Sequence, residues 1–220
     1  MIDFTFDYHA HILPGCDHGS DSLETTLLQL QMAREAGVKH ICATSHFYPQ
    51  RENVESFLKR RQQSYDSLRP YLREMQPSIS LGAEVLICDG MEHMANLTML
   101  CLEGTNELLL EMPFYAWPRT IVQTLYSIIE RDDITVVMAH VDRYPPEDIE
   151  QLGEFGVHMQ LNADAIACHP FLRRRYLSWI TKGWVRYLGS DIHMLGEGYR
   201  YWAKAAKAIR KYFTSLETAK

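Results

Sequence analysis

The strongest constraint on the fold is an alternation along the chain. Seven short apolar runs lie at 1–11, 38–45, 78–84, 107–111, 134–140, 157–162 and 184–190. Runs of this length and composition, bounded by turn residues, read as strands. Most are separated by stretches with helical spacing. The first, at 23–36, carries Leu23, Leu27 and Leu30 on one face. Asp21-Ser22-Leu23-Glu24 opens it as a capping box, and Gly37 closes it. The second, 52–69, is charged and amphipathic, with Val54, Phe57, Leu58, Tyr65 and Leu68 on one side. Pro70 is expected to kink it, with a continuation towards 75. Further helices are expected at 119–131, 146–155, 171–181 and 201–213, with a frayed end from 214, while 87–101 reads as part loop and part short helix. Strands alternating with helices imply a mainly parallel sheet covered by helices. An open doubly wound sheet and a closed barrel both satisfy the pattern. Nothing resembling a linker, repeat or low-complexity segment interrupts it, so one domain spanning 1–220 is expected, long enough for a sizeable core.

Composition narrows the partners. A net charge of -6 argues against a nucleic-acid surface, which shows as a basic excess. The five cysteines are odd in number and form no CxxC pair, which points to a reducing compartment. The first residues lack a basic segment followed by an apolar one, and no apolar run approaches the ~20 residues of a membrane span. A cytoplasmic protein is expected.

The polar residues that end the apolar runs carry the chemistry. His9 and His11 stand at i and i+2, on one face of an extended segment. His18 follows on a Pro- and Gly-rich loop. His46, Glu84, Glu111 and His140 close the next four runs, and Asp191 and His193 follow the last. In a parallel barrel the C-terminal strand ends form one face, where active sites are built. Mixed imidazole and carboxylate ligands suit Zn, Mn or Fe. No cysteine joins the set, which argues against a structural thiolate zinc site. A lone His or Glu at a strand end is more often a surface residue; the joint pattern is what indicates metal. His40, His93, His158 and His169 do not fit it and read as surface or core residues. Phe47, Tyr48, Phe114, Tyr115 and Trp117 follow metal-bearing strands, where they would either wall a pocket or pack the loops.

HAHILPGCDHGS at 9–20, ATSH at 43–46, GAEV at 82–85, LLLEMPF at 108–114, MAHVDRY at 138–144, QLNA at 160–163 and LGSDIH at 188–193 together resemble the polymerase and histidinol phosphatase (PHP) superfamily of metal-dependent phosphoesterases. Within it the chain is most similar to the capsule-locus, manganese-dependent tyrosine phosphatases. The resemblance runs nearly end to end. It implies a distorted seven-stranded TIM-like (β/α)7 barrel, and so selects barrel over open sheet. It also implies three divalent metals, Mn foremost, with Fe or Zn as alternatives. His9, His11, Glu84 and Asp191 would hold the first, with Glu84 bridging to a second on Glu111 and His140. His18, His46 and His193 would hold the third. The implied reaction is phosphomonoester hydrolysis by water activated between metals, with Arg143 and Arg200 binding phosphate. Three departures stand out. His18 occupies a position that is usually Asp in these phosphatases. The family's H-P-E-R-Y reads His140-Val141-Asp142-Arg143-Tyr144. Gly198 stands where a second phosphate-binding Arg is usual, with Arg200 two residues on. The general acid is left open between a bound water, Asp17 and Asp142. The implied partner is a phosphotyrosine protein, the tail of a bacterial tyrosine kinase that regulates exopolysaccharide export; homo-oligomerisation is compatible with the chain.

Three rival readings are weaker. Cys168 and Arg174 match a C-x5-R phosphatase loop, but Pro170, Phe171 and Leu172 between them lack the small residues such a loop needs. A nuclease or small-molecule phosphatase of the same superfamily, such as one acting on histidinol phosphate, is set back by the acidic charge and by the LEMPF and DRY segments. A non-catalytic binding protein of the same fold would be expected to have lost ligands, and all nine positions are filled.

Overall fold

The structure is a computed structural model that describes residues 2–72 and 76–218. Its seven strands are β1 (Phe6–Ala10), β2 (His40–Phe47), β3 (Ser78–Leu86), β4 (Glu107–Glu111), β5 (Thr135–Met138), β6 (His158–Asn162) and β7 (Val185–Gly189). They form one parallel sheet in sequence order. The seam between β7 and β1 is joined beyond the strand ladder. The Asp191 N–H donates to the His9 carbonyl at 2.8 Å, the His11 N–H to the Ile192 carbonyl at 3.2 Å, and the Ser190 N–H to Asp7 Oδ1 at 2.9 Å. The sheet is therefore a nearly closed TIM-like barrel, as the resemblance implied.

Helices α1 (Leu23–Glu35), α2 (Val54–Leu68), α3 (Arg119–Ile129), α4 (Pro146–Glu154), α5 (Ala163–Cys168), α6 (Pro170–Thr181) and α7 (Gly198–Glu217) accompany the strands. The strand period of two sorts each side chain to one of two cores. On β4, Leu108 and Leu110 belong to the large core, whereas Leu109 belongs to a smaller second cluster with Tyr8, Cys42, Val137 and Ala139. That second cluster fills the barrel. Tyr8 stacks on Tyr187 at 3.8 Å, and both hydroxyls donate to Glu107. The interior is thus plugged with apolar and aromatic groups, and further along the same inward faces come His46, four residues after Cys42, and Glu111, two after Leu109.

Local differences from the expected elements have local causes. The first strand begins only at Phe6, because Asp3 accepts from the Thr5 N–H and hydroxyl and makes a turn before it. Ser22, not Asp21, caps α1, accepting the Thr25 N–H; Asp21 instead accepts the Thr25 hydroxyl. A 3-10 turn at Arg69–Tyr71 follows α2, and the continuation expected towards 75 falls, past 72, outside the described residues. Segment 87–101 holds two 3-10 turns, Met91–His93 and Leu97–Leu100. The short helix α5 was not expected. Helix α7 begins at Gly198 and runs to Glu217, beyond the expected fraying point.

Candidate metal centre

All nine expected ligands converge at the C-terminal end of the barrel. β1 changes register against β2 between Asp7 and Ala10. Tyr8 faces the barrel and Ala10 the helices, so the irregularity re-phases the strand and lets His9 and His11 both point inward. Glu84 follows Gly82 on the inward face of β3; a Cβ at Gly82 would meet Cys42 Sγ at 3.0 Å. Alternation alone would send His140 outward with Val136 and Met138. Its backbone instead turns at φ 29, in the sparsely populated left-handed region, and brings the ring to Glu84. Asp191, at φ 48, shares that strain, which costs roughly 1–3 kcal/mol per residue and persists where surroundings enforce it.

Glu84 is the centre of the group and is 1 % exposed. Its Oε1 lies 2.7 Å from His140 Nε2. Its Oε2 has no hydrogen-bond partner, yet His46 Nδ1, His11 Nε2 and His9 Nε2 stand 3.0, 3.2 and 3.3 Å away. Asp191 Oδ1 faces His11 and His9 at 3.5 and 3.7 Å. Glu111 Oε1 is 3.5 Å from His140 Nε2. His193 Nε2 and His46 Nε2 approach to 3.4 Å, and the exposed His18 ring stacks on His46 at 4.6 Å and lies tilted against His193 at 4.7 Å. The set therefore grades from a fully enclosed floor at His9 and His11 to an open rim at His18.

The donor chemistry fits divalent cations. His11 Nδ1 donates to Asp17 Oδ2 at 3.0 Å, and His9 Nδ1 to Gln160 Oε1 at 3.0 Å. With Nδ1 of each ring engaged in this way, the two Nε2 atoms face one another across 3.1 Å. A cation among them satisfies both, and also the orphaned oxygen of Glu84. An imidazole oriented by a carboxylate or amide is the usual support of a metal-binding histidine. His11, His46 and His193 can share one ion; so can His9, His11 and Glu84, and so can His46, Glu84 and Glu111.

Charge is arranged to match. Burial pushes Glu84 up, but the surrounding His9, His11, His140 and His46 rings hold it well below the usual carboxylate range. Burial also opposes charge on His140, yet Glu111 and Glu84 outweigh it and lift the ring to about 9. His193 is pushed down to about 4 by burial and by His11. Asp17 is partly desolvated, but His11 holds it far below an ordinary aspartate. Asp17 also accepts the Gly19 and His46 N–H groups, which ties the loop after β1 to the end of β2. Asp142 is raised by burial and accepts the Asn162 N–H.

The two arginines fare differently. Arg143 reaches the centre, donating from Nη2 to Asp191 Oδ2, and its guanidinium lies 5.9 Å over the Phe114 ring. Arg200 sits in the first turn of α7, exposed and paired with Glu197, on a groove shared with Met32 and Glu35. The structure does not bring it to the ligands. Among the aromatics, Tyr48, Phe114 and Tyr115 line a groove of about 350 Å³ beside Glu111. Trp117 packs edge-on against Tyr144, with its indole N–H on the Pro113 carbonyl. Phe47 is fully buried against Phe57, because β2 runs two residues past its expected end. Phe47→Ala should therefore destabilise the fold by about 3–5 kcal/mol, while Tyr48→Ala should change stability by under about 1 kcal/mol. Chemical denaturation of the two variants separates core from groove. Cys168 ends α5 and 170–174 is helical, so no phosphate loop forms between Cys168 and Arg174. His40 bonds Ser78 and Ser80, His158 lies near Glu107, and His93 and His169 are exposed, all outside the centre. Sequence reasoning missed Gln160, whose Oε1 lies 3.0 Å from His9 Nδ1, and Asn162, whose Nδ2 lies 3.2 Å from Asp191 Oδ2.

The family model described as "Capsular polysaccharide synthesis, CpsB/CapC" matches residues 5–219. The chain belongs to the CpsB/CapC family. Tyrosine-protein phosphatase YwqE of Bacillus subtilis is 24% identical over 217 residues, covering 95% of this chain and 85% of the relative. Tyrosine-protein phosphatase CpsB of Streptococcus agalactiae is 24% identical over 220 residues, covering 94% and 90%. A solved structure from the study of YwqE of Bacillus subtilis and CpsB of Streptococcus pneumoniae, described as unique metal-dependent tyrosine phosphatases, superposes with a TM-score of 0.74 at 22% identity. It covers 94% of this chain and 86% of the other, and confirms the barrel.

Proposed function

We propose that this CpsB/CapC family member is a metal-dependent protein-tyrosine phosphatase, and that residues 1–220 form a single domain of that activity. The observation that carries the reading is the buried cluster around Glu84, with Arg143 at its edge and an aromatic groove beside Glu111. His9, His11, Glu84 and Asp191 would hold one ion, Glu84, Glu111 and His140 a second, and His18, His46 and His193 a third. Manganese is the foremost candidate, with iron or zinc as alternatives. When bound, such ions neutralise phosphate oxygens and lower the pKa of water.

The chain's own residues supply the rest. Arg143 keeps donors free beyond the one engaged by Asp191, and its planar fork suits two phosphate oxygens at once. Tyr48, Phe114 and Tyr115 offer flat apolar surface for the ring of a phosphotyrosine. A phenol with a pKa of about 10 leaves without strong protonation. That agrees with the lack of a free acid at Asp17, which is held deprotonated, or at Asp142, which is buried and engaged by a main-chain N–H. The substrate would be a phosphotyrosine protein of capsule or exopolysaccharide regulation, a bacterial tyrosine kinase tail, met in the cytoplasm.

The test is hydrolysis of a phosphotyrosyl peptide by the purified protein with manganese, then after EDTA, then with manganese restored. Activity should vanish on chelation and return with metal. Activity indifferent to EDTA would refute the metal-dependent reading. Metal-dependent turnover of nucleic acid or small phosphate esters alone would transfer the function to another phosphoesterase class.

A further inference from the structure

Counting the segment that follows each strand, β6 is the one of the seven described strands that contributes no expected metal ligand, yet its inward face is polar. Gln160 and Asn162 stand at i and i+2 on that face, 0 % and 3 % exposed. We propose that they are positioning residues whose amides form one oriented chain, fixing the tautomer of His9, holding His140 in its turned backbone and aiming Asp191. The inference rests on the metal-centre part of the reading above and is independent of the substrate.

The orientation of the chain follows from a donor that has no choice. The main-chain N–H of His140 points at the Gln160 side chain at 2.7 Å, so the atom facing it is the oxygen, Oε1. The same oxygen lies 3.0 Å from His9 Nδ1, which must then carry the hydrogen. In a neutral imidazole that leaves the lone pair on His9 Nε2, the atom that faces His11, Glu84 and Asp191. The other end of the Gln160 amide is the NH2 group, which donates to Asn162 Oδ1 at 2.9 Å. Asn162 therefore presents its own NH2 to Asp191 Oδ2 at 3.2 Å. Asp191 Oδ1 is left facing His9 and His11. Reversing either amide would set donor against donor or oxygen against oxygen in a buried site, at about 1–3 kcal/mol for each unmatched group.

The neighbouring strand is shaped for this chain. Gly189 pairs with Asn162 across β6 and β7. A Cβ there would lie 2.4 Å from Gln160 Nε2 and 2.7 Å from His9 Cβ. Only glycine lets the glutamine amide pass between β7 and the His9 ring. The left-handed φ of His140 has its counterpart here too, because the N–H that the turn frees from the ladder is the one Gln160 accepts.

The experiment is metal affinity by competition with a chromogenic chelator, read alongside the ring-nitrogen NMR shifts of His9 in 15N-labelled protein. Gln160→Leu should weaken manganese binding by about ten- to hundredfold and let the His9 proton distribute between Nδ1 and Nε2. Gln160→Glu, which keeps the acceptor oxygen, should retain the Nδ1–H tautomer. Gly189→Ala, whose Cβ would displace the Gln160 amide without changing Gln160 itself, should weaken manganese binding as Gln160→Leu does. Unchanged affinity in Gln160→Leu, or lost affinity with the His9 proton still confined to Nδ1, overturns the proposal. Should the leucine variant fail to fold, a Gln160→Glu protein whose His9 proton moves to Nε2 overturns it equally. Wild-type protein that binds no metal would refute the metal centre and this inference together; wild-type binding with an indifferent Gln160→Leu refutes this inference alone.

Discussion

Glu84→Gln should remove both metal and turnover while leaving the barrel folded. Glutamine keeps the size of the side chain, so the packing around Ala83 and Val85, which face the helices, is untouched. What changes is charge and polarity. One carboxylate oxygen touches His140 and the other sits among His46, His11 and His9. An amide has no net charge to offset cations, and its NH2 group would point a donor at nitrogens whose lone pairs are turned inward. Truncating one partner of a buried charged contact costs binding about 2–5 kcal/mol, which at about 1.4 kcal/mol per decade is a loss of about 30-fold to more than 10³ in metal affinity. Atomic spectroscopy of the purified variant should find most of the metal missing, while its circular dichroism matches the wild type. A Glu84→Gln protein with full metal content and near-normal turnover would remove Glu84 from the centre.

The expected ligands were legible in the sequence for a simple reason. All but His18, which stands on the loop after β1, end or closely follow an apolar run, and parallel strands in sequence order bring all such ends to one face. His46, Glu84 and Glu111 needed nothing more, because each continues the inward phase of its own strand. His140 was found by its position after an apolar run, although strand alternation alone points it the wrong way; the left-handed turn that corrects it has no glycine to announce it. The misreadings arise at element boundaries. β2 extends two residues further than expected, which buries Phe47 and leaves Tyr48 to join Phe114 and Tyr115 at the groove. Helix α7 starts three residues earlier than expected, so Arg200 belongs to its first turn and meets Glu197 instead of the ligands. The proposed role of Gln160 and Asn162 was invisible because it depends on partners contributed by β1 and by the loops after β5 and β7. No local pattern in QLNA encodes that meeting.

Arg143 offers the second large effect, and one that separates chemistry from metal binding. Arg143→Ala should lower kcat/KM by about 10²–10³, the usual consequence of deleting a donor aimed at developing charge. Metal content should hold. Arg143 touches Asp191 only through Oδ2, where Asn162 Nδ2 remains as a second donor, and the Oδ1 that faces His9 and His11 is unaffected. Arg143→Lys should recover little, because an ammonium is a point charge and cannot bind two phosphate oxygens while reaching Asp191. Arg200→Ala is the matched control, since its guanidinium is exposed and engaged by Glu197. Kinetics with a phosphotyrosyl peptide, paired with metal analysis of the same preparations, checks all three. Loss of metal in step with activity in Arg143→Ala would recast Arg143 as a support of the Asp191 ligand. Wild-type kinetics would leave phosphate recognition to the cations alone, with the Arg143 contact to Asp191 no more than a latch between the loop after β5 and the loop after β7.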